Sequence, residues 1–192
     1  MTTQNKSKDK YQAILDASIE NFARHGFWNT PTAQIARTAR IADGTLFTYF
    51  RTKDDLIIEV YLTLKRAVAA YVMADFDQQP SMRDRLAHIW HRFIEWGLNQ
   101  PSHFIVLQQI TTSYALPDEV RAQGNEPFDA VNALALASIA TGHIRNLPVD
   151  YVAAVMNSMS AATVQHIQAA QGDPAVDYPA IGFEMFWRSI ST

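Results

Sequence analysis

Residues 30–53 read TPTAQIARTARIADGTLFTYFRTK and contain two short helical segments separated by a brief turn. The first begins at Thr30-Pro31, because a hydroxyl side chain followed by proline is a favoured helix start. It stops near Ala39-Arg40, and the second runs from about Asp43 to Tyr49. Two helices joined by about three to four residues form a helix-turn-helix, whose second helix can lie in a DNA major groove.

Helical patterns continue on both sides of this stretch. Upstream, Ile14, Leu15, Ser18 and Phe22 recur on one helix face, and His25-Gly26 has the residue types that end a helix. Downstream, Thr52 precedes two acidic residues, which is a helix start, and an apolar face continues to about residue 75. We therefore expect the helix-turn-helix to be held between two longer helices.

The remaining chain keeps the same helical period, with no alternating runs bounded by hairpin turns. Proline and glycine residues, which interrupt helices, divide it into segments of helical length. The sequence predicts an all-α fold of about nine helices, with an N-terminal helix-turn-helix head on a helical-bundle body. We place the DNA-binding domain at residues 1–53 and a ligand-binding and dimerisation domain at 54–192.

Charge is distributed unevenly along the chain. Residues 1–53 carry eight basic and four acidic side chains, a net charge of +4, whereas residues 54–192 carry a net charge of −7. A basic segment on an acidic body indicates that one end meets a polyanion. There is no cysteine, no apolar leader and no segment of the length and apolarity of a membrane span. These features predict a soluble cytoplasmic protein with no membrane partner.

The helix-turn-helix segment resembles the DNA-binding domain of the TetR family of bacterial transcriptional regulators. The resemblance covers about 50 residues, and the rest of the chain is similar in length, helix number and an aromatic-rich C-terminal run. The matching pieces are Ile14-Leu15-Asp16-Ala17 with Phe22 and Gly26, Thr30 with Ile35-Ala36, and Gly44-Thr45-Leu46-Phe47-Thr48-Tyr49-Phe50 with Thr52-Lys53.

The resemblance implies which residues contact DNA. Those before and within the first short helix would touch the backbone, those of the second would face the groove or its flanking phosphates, and Lys53 would bind phosphate. Arg40 stands where the family usually has glycine, which implies a strained or altered turn, and Phe47 stands where tyrosine is common. The predicted DNA-binding set is Thr30, Thr32, Arg40, Gly44, Thr45, Phe47, Thr48, Tyr49 and Lys53.

Aromatic residues on several helices of the body can line an apolar pocket or form an ordinary core. Because the resemblance implies an effector site in this domain, we expect part of them to contact a cavity. The predicted pocket residues are Trp90, Phe93, Trp96, Phe104, Phe128 and Met156.

The last two helical segments, 152–170 and 178–190, are apolar on more than one side. A helix that is apolar all round must be buried, and a two-fold four-helix interface between subunits would bury both. The resemblance implies the same arrangement. The predicted interface residues are Val155, Met159, Phe183, Phe186 and Trp187.

The sequence therefore predicts a homodimeric repressor that binds a palindromic operator in double-stranded DNA and is released by a small, mainly apolar or aromatic effector. The alternative is a helical small-molecule-binding protein or enzyme without a DNA role. His88, His91 and Glu95 share a helix face, but this face is polar and opposite an apolar arc, so we interpret it as solvated or subunit-facing. We expect no catalytic residues, metal or cofactor.

Overall fold

The computed structural model of the chain describes residues 3–169, 173 and 175–192. The fold is all-α, as predicted. Within the described residues there are ten α-helices, and α7 and α8 follow one another through a 3-10 turn at Glu126–Phe128. The helices are α1 (Thr3–His25), α2 (Thr32–Thr38), α3 (Asp43–Tyr49), α4 (Lys53–Val72), α5 (Met82–Asn99), α6 (Pro101–Ser113), α7 (Asp118–Asn125), α8 (Asp129–Ala140), α9 (Val149–Gln168) and α10 (Tyr178–Ile190).

The start of α2 differs from the prediction that Thr30 is its N-cap. Pro31 is the N-cap, with no side-chain cap bond, and the helix begins at Thr32. Thr30 is completely buried, and its hydroxyl donates to the Gly26 carbonyl at 2.8 Å. The Thr30 side chain therefore ties the loop back to the end of α1 and is unavailable to DNA.

The turn between α2 and α3 has the backbone strain that the resemblance implies at Arg40. This residue has a φ of +56°, a left-handed conformation that costs less for glycine. No side chain caps α3, because the N-cap position is Ala42 and Asp43 lies in the first helical turn. The turn is thus held by its flanking packing rather than by a favourable local sequence.

The start of α4 follows the predicted pattern closely. The Asp55 backbone N–H donates to the Thr52 hydroxyl at 3.0 Å, and the Thr52 backbone N–H donates to the Asp55 carboxylate at the same distance. This reciprocal capping fixes the direction in which α4 leaves the helix-turn-helix.

By packing, the chain divides into two compact units. The first comprises residues up to Arg66 together with Gln100–Gly124, and the second comprises Ala67–Asn99 together with residues from Asn125 onward. The first unit is larger than the predicted head because α6 packs on α1 and is therefore part of it. The functional boundary at residues 53 and 54 stays a prediction.

Trp90 of α5 lies at the centre of the second unit. Its indole N–H donates to the Pro179 carbonyl at 2.8 Å, and its ring stacks on Phe186 with centroids 5.9 Å apart. A Cβ atom at Gly182 would come within 2.7 Å of Trp90, so glycine allows α10 to approach α5 this closely. This core joins α5, α9 and α10.

The same core corrects the prediction that Phe183 and Phe186 form the dimer interface. Phe186 is fully buried and Phe183 is 3% exposed within a single chain. Both rings pack against Trp90, so they belong to the protomer's own core.

Candidate nucleic-acid interface and effector-binding unit

The helix-turn-helix is built on a buried apolar face. Ile35 and Ala36 of α2 and Leu46 of α3 are completely buried, and Phe50 is nearly so. Their burial fixes which faces of α2 and α3 remain outside.

A buried polar residue that sequence reasoning missed holds α2 against α1. The Asn21 amide donates to the Ala17 carbonyl at 2.7 Å and to the Thr38 hydroxyl at 3.0 Å. The Gln34 amide donates in turn to Asn21 Oδ1 at 2.8 Å. Asn21 lies seven residues after Ile14, on the same helix face, and a polar residue in that position was the available signal.

The outward face of α3 consists of small, hydroxyl-bearing and aromatic residues. Gly44, Phe47 and Thr48 are exposed, Phe47 by 49%, and Thr45 is half-buried. The Thr48 hydroxyl donates to the Gly44 carbonyl of its own helix at 3.2 Å. No charged side chain stands among these four residues, so base edges can approach this face closely.

Thr32 and Arg40 have side chains that are at least partly exposed, and their contact with DNA stays a prediction. Thr32, in the first turn of α2, is half-buried, and Arg40 is exposed at the turn before α3. An exposed arginine at this place adds positive charge next to the α3 face, where Asp43 brings a negative one.

Tyr49 and Lys53 have partners within the protein. The Tyr49 hydroxyl donates to the Ser7 carbonyl at 3.3 Å and lies 3.2 Å from the Ser7 hydroxyl. Lys53 donates to the Trp28 carbonyl at 3.2 Å, and burial lowers the pKa of its ammonium group, an effect that Asp54 opposes. Two of the three N–H donors of Lys53 remain for a phosphate.

An aromatic cluster beside Lys53 is a second feature that sequence reasoning missed. Trp28 is 63% exposed, and its ring lies 4.8 Å from the Phe27 centroid and 5.7 Å from the Tyr114 centroid. The Tyr114 hydroxyl donates to the Asp54 carboxylate at 2.7 Å, and burial together with this contact raises the pKa of Tyr114 to about 12. The cluster thus links the end of α6 to the start of α4.

The predicted pocket residues do not all belong to one unit. Phe104 is buried in the first unit, whereas Trp90 and Trp96 are buried in the second, and the other three are half-buried in the second. Phe93 and Trp96 lie with ring centroids 6.2 Å apart. Their role as pocket residues stays a prediction.

The second unit has a surface groove of about 390 Å³. None of the six predicted pocket residues lines this groove. Trp187, which was predicted for the dimer interface, does line it. The Arg83 guanidinium lies 5.8 Å from the centroid of the Trp187 ring. The groove is lined by Ser81, Met82, Arg83, Ala137, Ser138, Thr141, His143 and Trp187.

The remaining predicted interface residues lie partly outside the core. Val155 and Met159 of α9 are half-buried, as is Trp187 of α10. Large apolar side chains that the prediction did not include are more exposed on the same two helices: Tyr151 by 58%, Ile181 by 49% and Met185 by 61%.

The polar face of α5 forms local contacts. His88 Nε2 lies 2.7 Å from the Ala74 carbonyl, and Glu95 pairs with Arg92 at 2.8 Å. Across the described part of the chain, no three histidine or acidic residues converge as metal ligands would. Over the same residues, no helix combines the length and apolarity needed to cross a bilayer.

Residues 14–60 match the family described as "Bacterial regulatory proteins, tetR family". The fatty acid metabolism regulator protein of Bacillus subtilis is 28% identical over 82 residues, 43% of this chain and 42% of that protein. The transcriptional regulator LuxR of Vibrio harveyi is 30% identical over 94 residues, 49% of this chain and 45% of that protein. The chain thus matches less than half the length of these relatives.

Solved structures share the fold over nearly the whole chain. A TetR family transcription regulator from Marinobacter aquaeolei VT8 has a TM-score of 0.89 at 21% identity, covering 98% of this chain and 99% of that one. The regulator FadR of Bacillus subtilis, in complex with stearoyl-CoA, has a TM-score of 0.71 at 22% identity, covering 93% and 96%. A helix-turn-helix on an all-α body is the architecture of a bacterial transcriptional regulator. Residues 14–60 thus match the DNA-binding domain of the TetR family, the relatives similar over this region are regulators, and the chain shares the fold of a TetR family transcription regulator.

Proposed function

We propose that the protein is a homodimeric, ligand-responsive repressor that binds a palindromic operator. The observation that carries this proposal is the outward face of α3, where Gly44 and Thr48 are exposed and Thr45 is half-buried, opposite the buried Leu46. Small and hydroxyl-bearing side chains allow the helix backbone to come close to base edges and phosphates.

Phosphate contacts come from residues around this face. Lys53 offers two free N–H donors at the start of α4, while Thr32 and Arg40 lie at the start of α2 and in the turn. We do not include the Thr30 side chain, because it is buried. The Tyr49 hydroxyl already has a partner on α1, the Ser7 carbonyl.

The effector binds in the second unit, and we expect a small, mainly apolar or aromatic molecule. The aromatic content around Trp90, Phe93 and Trp96 supports this. FadR of Bacillus subtilis, which shares the fold, was solved with stearoyl-CoA, an amphipathic molecule with a long apolar chain. An acyl thioester is therefore the first class of effector to test.

The effect of effector binding on DNA binding is transmitted through α4. This helix contributes residues 53–66 to the first unit and 67–72 to the second. In the first unit, Leu56, Ile57 and Val60 of α4 are buried. An effector that favours one position of α4 would change the spacing of the two heads in a dimer and weaken operator binding.

The first test uses duplexes selected from a random pool by the wild-type protein. Lys53→Gln removes the charge but keeps an amide that can donate to the Trp28 carbonyl. We expect weaker binding to all sequences and a slope of log affinity against log salt that is flatter by about 0.9 for each protomer bound. Thr45→Val removes a hydroxyl at nearly constant volume, and should change the selected sequence with little change in that slope.

Mobility-shift or anisotropy titrations over a range of salt concentrations measure both quantities. Failure of the wild-type protein to select any duplex would overturn the proposal. An unchanged slope in Lys53→Gln, with normal thermal unfolding, would remove Lys53 from the phosphate-binding set.

The effector should show reciprocal coupling with DNA. Allosteric coupling is typically about 1–3 kcal/mol, and linkage requires that DNA weaken effector binding by the factor by which the effector weakens DNA binding. Calorimetric titration of a long-chain acyl-CoA, with and without the selected duplex, measures this factor. Equal affinities in both titrations, for a compound that does release the duplex, would contradict transmission through α4.

A further inference from the structure

The start of α1 is attached to the end of the recognition helix. Tyr49, the last residue of α3, donates a hydrogen bond to the Ser7 carbonyl and lies within hydrogen-bond distance of the Ser7 hydroxyl. One turn later on α1, the Tyr11 ring stacks on Phe50 with centroids 5.4 Å apart and planes inclined by 27°. Burial and the nearby Glu59 carboxylate of α4 raise the pKa of Tyr11 to about 12. The second and third turns of α1 are therefore in contact with the end of α3.

Basic residues are close in sequence to both sides of this attachment. Lys8 and Lys10 follow Ser7 on α1, and Arg51 follows Tyr49 by two residues; all three are exposed. Asp9 stands between the lysines, so the four residues carry a net charge of +2. We call Lys8, Lys10 and Arg51 the basic patch.

In the part of the chain that the structure describes, the cations of the basic patch form no ion pair, unlike four arginines elsewhere in the protein. Arg24, near the other end of α1, pairs with Glu20 at 2.9 Å, and Arg66 of α4 pairs with Glu59 at 2.6 Å. Within residues 3–169, 173 and 175–192, no carboxylate lies at ion-pair distance from a member of the basic patch. Fixed cations that are not neutralised by the protein attract a polyanion.

The place of the basic patch relative to α3 indicates which part of a DNA duplex it would contact. The N-terminal residues of a recognition helix contact the base edges, whereas in the homeodomain the C-terminal end of that helix contacts the DNA backbone. The basic patch lies at the C-terminal end of α3, so a duplex docked on Gly44 and Thr45 would present its sugar-phosphate backbone there. We propose that Lys8, Lys10 and Arg51 bind DNA phosphates flanking the bases read by α3, and that Tyr49 is a positioning residue for this patch.

This inference rests on the proposed DNA-binding function, and its consequences are independent of operator sequence. A labelled duplex of mixed sequence is therefore a suitable probe. The variant Lys8→Ala/Lys10→Ala keeps good helix formers at two exposed positions of α1. Its slope of log affinity against log salt should be flatter by about 1.8 for each protomer bound, at about 0.9 for each phosphate contact.

The difference in slope becomes a large difference in affinity when binding is measured over a wide range of salt concentrations. Between about 50 and about 200 mM salt, the ratio of wild-type to variant affinity should fall by about twelvefold for each protomer. Arg24→Ala is the matched control, since it removes one cation from the same helix, 14 residues beyond Lys10. It should leave the slope unchanged.

Tyr49→Phe tests the positioning role. Loss of the hydroxyl frees the start of α1 from α3 but keeps the ring against Tyr11, so affinity should fall by about two- to tenfold. In the Lys8→Ala/Lys10→Ala background, the same substitution should have little further effect, because Tyr49 acts through the patch. Additive losses would show that Tyr49 contacts DNA directly and would overturn its assignment as a positioning residue.

The two proposals fail in distinguishable ways. A wild-type protein that does not bind the duplex at low salt overturns the DNA-binding function and the patch with it. A wild-type protein that binds, with Lys53→Gln flattening the slope and Lys8→Ala/Lys10→Ala leaving it unchanged, overturns the basic patch alone.

Discussion

Phe186→Ala should lower the free energy of unfolding by about 3–5 kcal/mol, the usual cost of removing a phenyl ring from a packed core. Phe186 is fully buried and stacks on Trp90, so its loss leaves a cavity between α10 and α5. Urea-induced unfolding followed by circular dichroism, at fixed protein concentration, measures the change. A loss of this size is a large part of the stability of an ordinary domain.

Leu136→Ala is the matched control for this prediction. It removes a large apolar side chain from α8 of the same unit, but Leu136 is 58% exposed. Exposed substitutions usually change stability by no more than about 0.5 kcal/mol. Similar losses in the two variants would contradict the assignment of Phe186 to the protomer core.

Phe186 also illustrates what the sequence could not predict. The pattern of α10 is apolar on nearly every side, which correctly indicates that more than one face is covered. It does not indicate which face packs on α5 and which remains for another chain. That choice depends on contacts with Trp90, 96 residues away in the sequence, and on the close approach that Gly182 allows.

The helix-turn-helix was predicted more accurately because its signals are local. The bounds of α3 and the capping of α4 by Thr52 depend on residues within a few positions of one another, and the unusual turn at Arg40 is implied by the family resemblance. Thr30 is the exception. Its hydroxyl bonds to Gly26, a partner outside the helix that it was predicted to cap, and no local rule distinguishes these two roles.

The candidate site was incomplete where distant segments meet. Trp28, Tyr114 and Asp54 come together because α6 folds onto the first unit, although the sequence pattern assigned α6 to the body. The contact between Ser7 and Tyr49 joins residues 42 positions apart. Periodicity identifies which residues face inward, but it does not pair one buried or half-buried face with another.

A charge at Met185 should abolish dimer formation and lower affinity for a selected palindromic duplex by about 10²–10⁴-fold, since two linked heads gain that much from simultaneous binding. Met185 and Ile181 are large exposed apolar residues of α10, and Tyr151 is a large exposed apolar residue of α9. Because Phe183 and Phe186 are buried in the protomer, this outer face is where we now expect a second copy of the chain. Sedimentation velocity measures the association state of Met185→Glu, and urea unfolding checks that the protomer is folded.

The sign of the introduced charge separates loss of the dimer from simple electrostatics. Met185→Glu makes the protein more acidic and would repel DNA slightly even without any change in association. Met185→Lys adds a positive charge, so it would strengthen DNA binding if electrostatics dominated and weaken it if the dimer were lost.

Leu136→Glu, at an exposed position of α8, controls for added negative charge elsewhere on the second unit. We expect both Met185 variants to be monomers with weak operator binding, because a single head occupies only one half-site. A wild-type protein that sediments as a monomer, or a Met185→Glu protein that stays dimeric, would exclude this face as the interface.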